Sequence, residues 1–225
     1  MSSKVTWDII GPEIKNDDFY KFIVGLLSGG NGIKTILEIG ASSGDGSTEA
    51  FMIGKQNSDA QLFSIEVCTE RFDLLKQRYA NDPKFFPYNV SSVPLSAFPE
   101  FKEIAHFMMH HRTSSLAPWP IETVKGWYDK DLEYIRANNI PENGIELIKQ
   151  KHSIQHFDCV LIDGSEFTGK PELDLVYGAK FILLDDIRAY KNWTNHNRLR
   201  GDPMYSLLLE NNTVRNGFSV FMRIA

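Results

Sequence analysis

The chain has 225 residues, of which 42% are hydrophobic and 24% charged, and its formal net charge at pH 7 is -5. This length fits one domain, with or without an insertion, and suffices to bury a full core without disulfides. The acidic balance argues against a nucleic-acid substrate, which usually requires a basic patch. No apolar run approaches the roughly 20 residues of a membrane helix.

The cysteines and the start of the chain bear on its compartment. Cys68 and Cys159 both stand among apolar residues, which predicts small buried thiols in a reducing environment. Residues 1–8 contain no signal-peptide core. We therefore expect a cytoplasmic protein, without a membrane partner, that forms one domain over residues 1–225.

The first predicted elements lead into a glycine-rich turn. Residues 12–28 repeat apolar side chains at helical spacing, with Pro12 suited to the first turn. A short apolar run at residues 36–39 then predicts a buried strand, and residues 49–55 can form the next helix. Gly40, Gly44 and Gly46 stand between that strand and that helix.

The turn between this strand and helix is a candidate ligand cradle. A ligand can approach glycine backbone closely, and the first N–H groups of the helix favour negative charge. Dinucleotides and S-adenosylmethionine (SAM) with its carboxylate both use such geometry, whereas a tight turn without a ligand is the alternative. The candidate cofactor-binding residues are Glu38, Gly40, Ala41, Ser42, Gly44, Gly46 and Ser47.

The spacing of the glycines separates the two ligands. A dinucleotide fingerprint reads G-x-G-x-x-G, but here the order is Gly-x-x-x-Gly-x-Gly, with Glu38 two residues before the first glycine. The pattern acidic-x-Gly-x-x-x-Gly resembles the first motif of class I SAM-dependent methyltransferases. The resemblance implies that the loop holds the methionine end of SAM.

The next strands supply further cofactor candidates. Residues 61–67 alternate as a strand ending at Glu66, about twenty residues beyond the loop, where an acid can accept from ribose hydroxyls. A helix over residues 70–79 with Thr69 as N-cap is predicted next. Residues 84–89 form a third strand, which Pro87 assigns to a sheet edge. By the resemblance, Ser91 lies beside the adenine, with a local serine turn as the alternative.

Residues 94–155 are too long for an ordinary crossover and predict a helical insertion on the ligand side. Helical patterns cover residues 101–111, 121–137 and 145–152. We expect the insertion to form one wall of an acceptor pocket, with Trp119, His110 or His111 nearest the substrate. A structural cap or an oligomer face is the competing interpretation, and the sequence leaves the oligomeric state open.

Two further strands end in acids. Residues 156–164 form an apolar run ending at Asp163, and residues 178–186 form another ending at Asp185 and Asp186, with a short helix over 170–177 between them. Ligands in open α/β sheets bind outside the carboxyl ends of the strands. Three carboxylates converging there need a cation or a proton, and Mg²⁺ is the hard cation expected.

The motifs Asp-Gly-x-x and Asp-Asp resemble the metal-dependent small-molecule O-methyltransferases of the catechol and sugar-modifying kinds. The likeness covers residues 33–93 and 156–186. It implies that Asp163, Asp185 and Asp186 bind the metal and that Asp163 also contacts the cofactor and serves catalysis. These relatives place His or Lys three residues after the first Asp, where this chain has Glu166, so we expect Glu166 to be the catalytic base.

The end of the chain completes the predicted fold. Residues 188–201 are polar and suit a flanking helix, while residues 204–210 and 218–224 predict two final strands with a hairpin-like return. We predict an α/β fold: a Rossmann-like, doubly wound seven-stranded sheet with an antiparallel last strand and a helical insertion at about 94–155.

The expected function is SAM-dependent methylation of a hydroxyl on a small molecule. A saccharide is the preferred acceptor, from the resemblance alone, and a catechol or other phenol remains open. Three alternatives compete: an NAD-dependent Rossmann oxidoreductase, a SAM-binding protein without catalysis, and an N-methyltransferase that needs no metal.

Overall fold

The computed structural model describes residues 6–224; residues 1–5 of the segment searched for a signal peptide lie outside that range. The strands are β1 (Thr35–Ile39), β2 (Gln61–Glu66), β3 (Phe85–Asn89), β4 (Cys159–Ile162), β5 (Phe181–Asp185), β6 (Tyr205–Asn211) and β7 (Phe218–Arg223). They form one sheet in the order β3-β2-β1-β4-β5-β7-β6. The strands β3, β2, β1, β4 and β5 pair in parallel, and β7 is antiparallel to both β5 and β6. The predicted fold is confirmed.

Helices cover both faces of the sheet. They are α1 (Asp18–Ser28), α2 (Ser47–Gly54), α3 (Thr69–Arg78), α4 (Phe101–His110), α5 (Ile121–Ala137), α6 (Gly144–His152), α7 (Gly169–Val176) and α8 (Tyr190–Arg200). Successive side chains of β1 point to opposite faces, so Ile36 joins the core beneath α1 and α2 while Leu37 joins the core beneath α6 and α7. Cys68 and Cys159 are buried and free.

The strand order reverses between β1 and β4, and this register sets the position of the site. Ile39, the last residue of β1, pairs with Ile65 of β2 and with Ile162 of β4. Ile162 in turn pairs with Leu184 of β5. The residues that follow these strands therefore emerge side by side at one edge of the sheet, where open α/β sheets bind ligands.

Several predicted boundaries were wrong for local reasons. The first helix begins at Asp18 rather than near residue 12, because Asn16 has a φ of 58° and the Asp17 carboxylate caps the helix by accepting from Tyr20 N at 2.8 Å. Thr69 is the first residue of α3 and not its cap, and its hydroxyl donates to Asn89 at 3.1 Å. β4 begins at Cys159 rather than at residue 156, because the Asp158 carboxylate accepts from the backbone N–H of Thr35 at 2.9 Å.

The helices predicted between β3 and β4 are present, each within one residue of its expected bounds. A separate small apolar cluster joins α4 and α5 to Phe167, in the loop after β4. This contact fixes both helices at the carboxyl edge of the sheet. Among residues 6–224, no helix is long and apolar enough to cross a membrane.

Candidate functional site

A cavity of about 410 Å³ opens at the carboxyl ends of the parallel strands. Its walls come from the glycine loop after β1, the end of β2, the loop after β4, the start of α8, the face of α5 and residues 10–14. Its volume lies within the range of small-molecule sites, roughly 300–1,000 Å³. The predicted site residues that line it are Gly40, Ala41, Ser42, Gly46, Ser47, Glu66, Ser91, Asp163, Glu166 and Asp186.

Gly40 lets two loops meet. Its φ is 91°, and a Cβ built there would lie 2.1 Å from the backbone oxygen of Asp163. No other residue fits, so the loop after β1 can lie directly against the loop after β4.

Glu38 and Gly44 were predicted to bind the cofactor, but neither lines the cavity. Glu38 is fully buried beneath the loop and accepts from the hydroxyls of Ser47 at 2.7 Å, Thr48 at 2.9 Å and Ser64 at 2.6 Å. Burial raises the pKa of Glu38, against the effect of these hydrogen bonds. Gly44 faces α3, where a Cβ would lie 2.6 Å from the Leu75 side chain. Both residues shape the loop from outside the cavity.

Glu66 and Ser91 lie on the wall predicted for the nucleoside. The Glu66 carboxylate accepts from Ser42 N at 2.7 Å and from Cys68 N at 2.8 Å, and burial raises its pKa. The Ser91 hydroxyl donates to Val93 O at 2.7 Å, so it closes a local turn as well as lining the cavity. Glu66 thereby connects the glycine loop to the end of β2.

The structure brings Asp163, Asp185 and Asp186 together. Each offers one carboxylate oxygen, and these three atoms lie within 4.8 Å of one another. Asp186 has a φ of 53°, an uncommon backbone conformation that Asp tolerates better than most residues. The convergence follows from the parallel pairing of β4 with β5.

Two basic side chains, which sequence analysis had not placed in the site, contact this acidic cluster. Lys191 of α8 is 6% exposed, and its Nζ lies 2.7 Å from Asp163 Oδ1 and 2.8 Å from Asp186 Oδ2. Arg215, in the turn before β7, places Nη2 2.6 Å from Asp185 Oδ1. A signal for Lys191 was its position near the start of a helix that follows the acid-ended strand β5.

The cluster fits a divalent cation by donor chemistry, since hard cations take carboxylate oxygens. Asp185 Oδ2 and Asp186 Oδ1 are buried and have no hydrogen-bond partner within residues 6–224. Both oxygens remain available as ligands. Lys191 nevertheless contacts two of the three carboxylates, and Asp185 does not line the cavity.

Burial and mutual repulsion perturb these acids. Burial raises the pKa of Asp163 to about 7, with Lys191 opposing the shift and Asp186 adding to it. The pKa of Asp185 is raised well above its ordinary range, by burial first and then by Asp163 and Asp186. Burial lowers the pKa of Lys191, but the surrounding carboxylates outweigh burial and raise it overall. The surrounding carboxylates therefore favour the protonated form of Lys191.

Glu166 lines the cavity beside a second acid. Its carboxylate accepts from Tyr190 N at 3.2 Å, and burial raises its pKa to about 7, with Asp186 adding and Lys191 opposing. Asp131 of α5, which the sequence analysis missed, accepts from the Ser165 hydroxyl at 2.6 Å, and burial raises its pKa to about 6. Both groups can exchange protons near neutral pH.

The insertion contributes residues to the cavity wall, but not the three that were predicted to lie nearest the substrate. Trp119, His110 and His111 do not line the cavity, whereas Trp127 does, together with Phe98, Asp131 and Ile135. Trp127, Asp131 and Ile135 are spaced by four residues, so they share one face of α5. Trp119 precedes this helix, and its ring centroid lies 5.1 Å from that of Trp127.

The segment before α1 covers part of the cavity. Trp7 packs on Tyr134, with ring centroids 4.8 Å apart, and the Arg71 guanidinium lies 5.6 Å from the Trp7 ring. Arg71 also donates to the backbone oxygen of Asp8. Pro12, predicted to start a helix, lies instead on the cavity wall.

No protein-family model matches this chain, and no curated protein matches it. Solved structures do resemble it. An O-methyltransferase from Bacillus cereus in complex with S-adenosylhomocysteine (SAH) has a TM-score of 0.57 at 15% identity, covering 95% of this chain and 84% of that one. An SAH-bound methyltransferase from Podospora anserina has a TM-score of 0.53 at 13% identity, covering 95% and 81%. A Staphylococcus aureus protein assigned as a caffeoyl-CoA O-methyltransferase has a TM-score of 0.57 at 14% identity. The match covers 94% of this chain and 85% of that one. At these identities the likeness establishes a shared fold.

Proposed function

We propose that this chain is a SAM-dependent methyltransferase that methylates a hydroxyl of a small molecule. The observation that carries the proposal is the cavity itself. It lies at the reversal of strand order, between the glycine loop after β1 and Glu66 at the end of β2. SAH-bound enzymes with the same fold support the assignment of this cavity to SAM.

In this proposal the cofactor lies along the edge of β1 and β2. The loop from Gly40 to Ser47 binds the amino-acid end of SAM, since the start of α2 favours its carboxylate. Glu66 accepts from the ribose hydroxyls, as its position at the end of β2 favours. Ser91 lies beside the adenine, and Asp163 lies where the cofactor meets the acceptor.

Glu166 is the proposed proton acceptor. A general base works best with a pKa near the operating pH, and the Glu166 pKa of about 7 meets that condition. Its carboxylate lies in the same cavity as Asp163, on the loop after β4. It can therefore take the proton of an acceptor hydroxyl bound between α5 and α8.

Asp163, Asp185 and Asp186 are the proposed ligands of a divalent cation, with Mg²⁺ as the simplest choice. Such an ion, when bound, supplies a Lewis acid that lowers the pKa of the acceptor hydroxyl. The saccharide acceptor follows from the motif resemblance, and a catechol is the alternative that the assay must include.

The first test is calorimetry with SAH and, separately, with NADH. We expect SAH to bind and NADH not to bind. In Glu66→Ala, SAH binding should weaken by about 1.5–3 kcal/mol, the range for a hydrogen bond to a charged group. Binding of NADH without binding of SAH would favour the oxidoreductase and reject the proposal.

The second test is methyl transfer from radiolabelled SAM to a panel of saccharides, catechols and amines. Label transferred to a saccharide or catechol oxygen is the expected result. Transfer to amines alone would identify an N-methyltransferase. SAH binding with no turnover on any class would favour a non-catalytic SAM-binding protein.

A further inference from the structure

We propose that Lys191 is the resident cation of the acidic cluster and that a divalent ion binds there only by displacing its ammonium group. The inference rests on the metal site proposed above and does not depend on which acceptor is methylated. It assigns Lys191 a role in controlling the affinity of the site for metal.

Lys191 occupies the carboxylate oxygens that a metal ion would need. Its Nζ bridges Asp163 Oδ1 at 2.7 Å and Asp186 Oδ2 at 2.8 Å, and the side chain is 6% exposed. A magnesium ion takes carboxylate oxygens at about 2.0–2.1 Å. An ion shared by Asp163 and Asp186 would therefore meet the ammonium at the same oxygens, and the two cations would repel each other.

The backbone of Lys191 is fixed, so displacement must involve the side chain. A Cβ at Gly169 would lie 1.9 Å from Lys191 O, which means that α7 packs directly on this turn of α8. The Lys191 side chain, in contrast, lines the cavity. Its four flexible carbons allow Nζ to move into the cavity, where Glu166 offers another carboxylate.

Arg215 cannot take over the same role. It contacts Asp185 at 2.6 Å and is also paired with Asp17 at the start of α1, so it is held between two acids. Asp163 and Asp186 thus depend on Lys191 for their ion pairs within residues 6–224. Removal of Lys191 should leave the buried carboxylate of Asp186 and the partly buried carboxylate of Asp163 without a cationic partner, and a divalent ion can neutralise both.

The experiment is a titration with Mn²⁺, followed by electron paramagnetic resonance, of the wild type, Lys191→Met and Lys191→Arg. We expect weak binding by the wild type and by Lys191→Arg, and binding at least about tenfold tighter by Lys191→Met. Lys55→Met is the matched control, because Lys55 is another buried lysine, 4% exposed, that pairs with Asp82 outside the cluster. It should bind Mn²⁺ as the wild type does.

Thermal unfolding in chelator and in Mn²⁺ provides an independent readout. Lys191→Met should melt lower than the wild type in chelator and recover with Mn²⁺, whereas the wild-type melting temperature should change little. If Lys191→Met does not fold under either condition, the Mn²⁺ affinity of Lys191→Gln decides in its place.

The proposed displacement of the Lys191 ammonium group would be overturned if the neutral variants bound Mn²⁺ no more tightly than the wild type. It would also be overturned if no variant bound Mn²⁺. SAH calorimetry on the same preparations separates this result from the proposed function. SAH binding with no gain in Mn²⁺ affinity rejects only the role of Lys191. If the wild type does not bind SAH, the proposed function is rejected instead.

Discussion

Glu38 and Glu66 are two buried carboxylates that hold one loop in different ways. Glu38 accepts from three hydroxyls below the loop, while Glu66 accepts from the Ser42 N–H at its side. The acid two residues before Gly40 was recognisable in the sequence, but its direction was not. Residues of a strand alternate between faces, and only the packed sheet shows that Glu38 points beneath the loop rather than into the cavity.

Glu38→Ala should destabilise the fold by about 3 kcal/mol, because three buried hydroxyls lose the carboxyl group that accepts their hydrogen bonds. Urea unfolding followed by circular dichroism measures the change. Glu146→Ala, at a partly exposed surface pair with Lys149, is the control and should change the free energy of unfolding by less than about 1 kcal/mol. If Glu38→Ala lowered the free energy of unfolding as little as the control does, the structural role of Glu38 would be contradicted.

Glu166 should make stability depend on pH. Its pKa is about 7 in the fold against an ordinary 4.5, so between these values the folded state keeps a proton that the unfolded state releases. The free energy of unfolding therefore falls as pH rises through this window, by up to about 3 kcal/mol from this group.

Glu166→Gln removes this contribution, so the variant should gain stability relative to the wild type between pH 5 and pH 8. Urea unfolding at pH 5, 6, 7 and 8 measures the difference. Glu133→Gln, at an exposed position of α5, is the control and should follow the wild-type profile. Parallel profiles for Glu166→Gln and the wild type would show that Glu166 is ionised throughout.

At the scale of elements, sequence patterns predicted all seven strands. Continuous apolar runs, typical of buried parallel strands, predicted β1, β4 and β5, whereas alternation predicted β2 and the hairpin-like return predicted β6 and β7. The acidic cluster was also predictable, because the carboxyl ends of neighbouring parallel strands lie at one edge of the sheet, and here both strands end in acids. The position of Lys191 early in the helix after β5 was a signal, but its contacts depend on how α8 crosses the end of β5 and could not be predicted from the sequence. The rotation of α5 about its axis likewise decides that Trp127 lines the cavity, while Trp119 lies before the first residue of this helix.

Trp127→Ala should raise KM for the acceptor identified in the methyl-transfer panel by roughly tenfold, because it removes a large apolar contact from the cavity wall. The kcat and the affinity for SAH should change little. Trp119→Ala is the matched control, since its ring touches Trp127 without lining the cavity. Equal effects of both variants on KM would indicate that the pair acts as one structural unit.

At the scale of the whole molecule, Arg215 joins three distant parts of the chain. It lies in the turn between β6 and β7, with a φ of 47°, and pairs with Asp17 before α1 and with Asp185 at the end of β5. The antiparallel hairpin was predicted from its sequence, but this contact was not. It exists only because β7 lies beside β5 in the completed sheet.

Arg215→Leu should destabilise the fold by about 3 kcal/mol, because Asp185 is 1% exposed and would lose its cationic partner. Arg198→Leu is the control, since Arg198 pairs with Asp174 at the surface and should contribute less than about 1 kcal/mol. Guanidinium unfolding of both variants gives the comparison. A small loss for Arg215→Leu would mean that Asp185 is already neutral in the fold.

The position of β7 between β5 and β6 also affects synthesis on the ribosome. When β5 has emerged from the exit tunnel, the strand that covers its open side has not yet been translated, because α8 and β6 both precede β7 in the chain. A nascent chain must hold an apolar strand with unpaired N–H and C=O groups until residues 218–223 appear, and such edges template aggregation. Translation that stops before residue 218 should therefore leave a fragment that depends on chaperones.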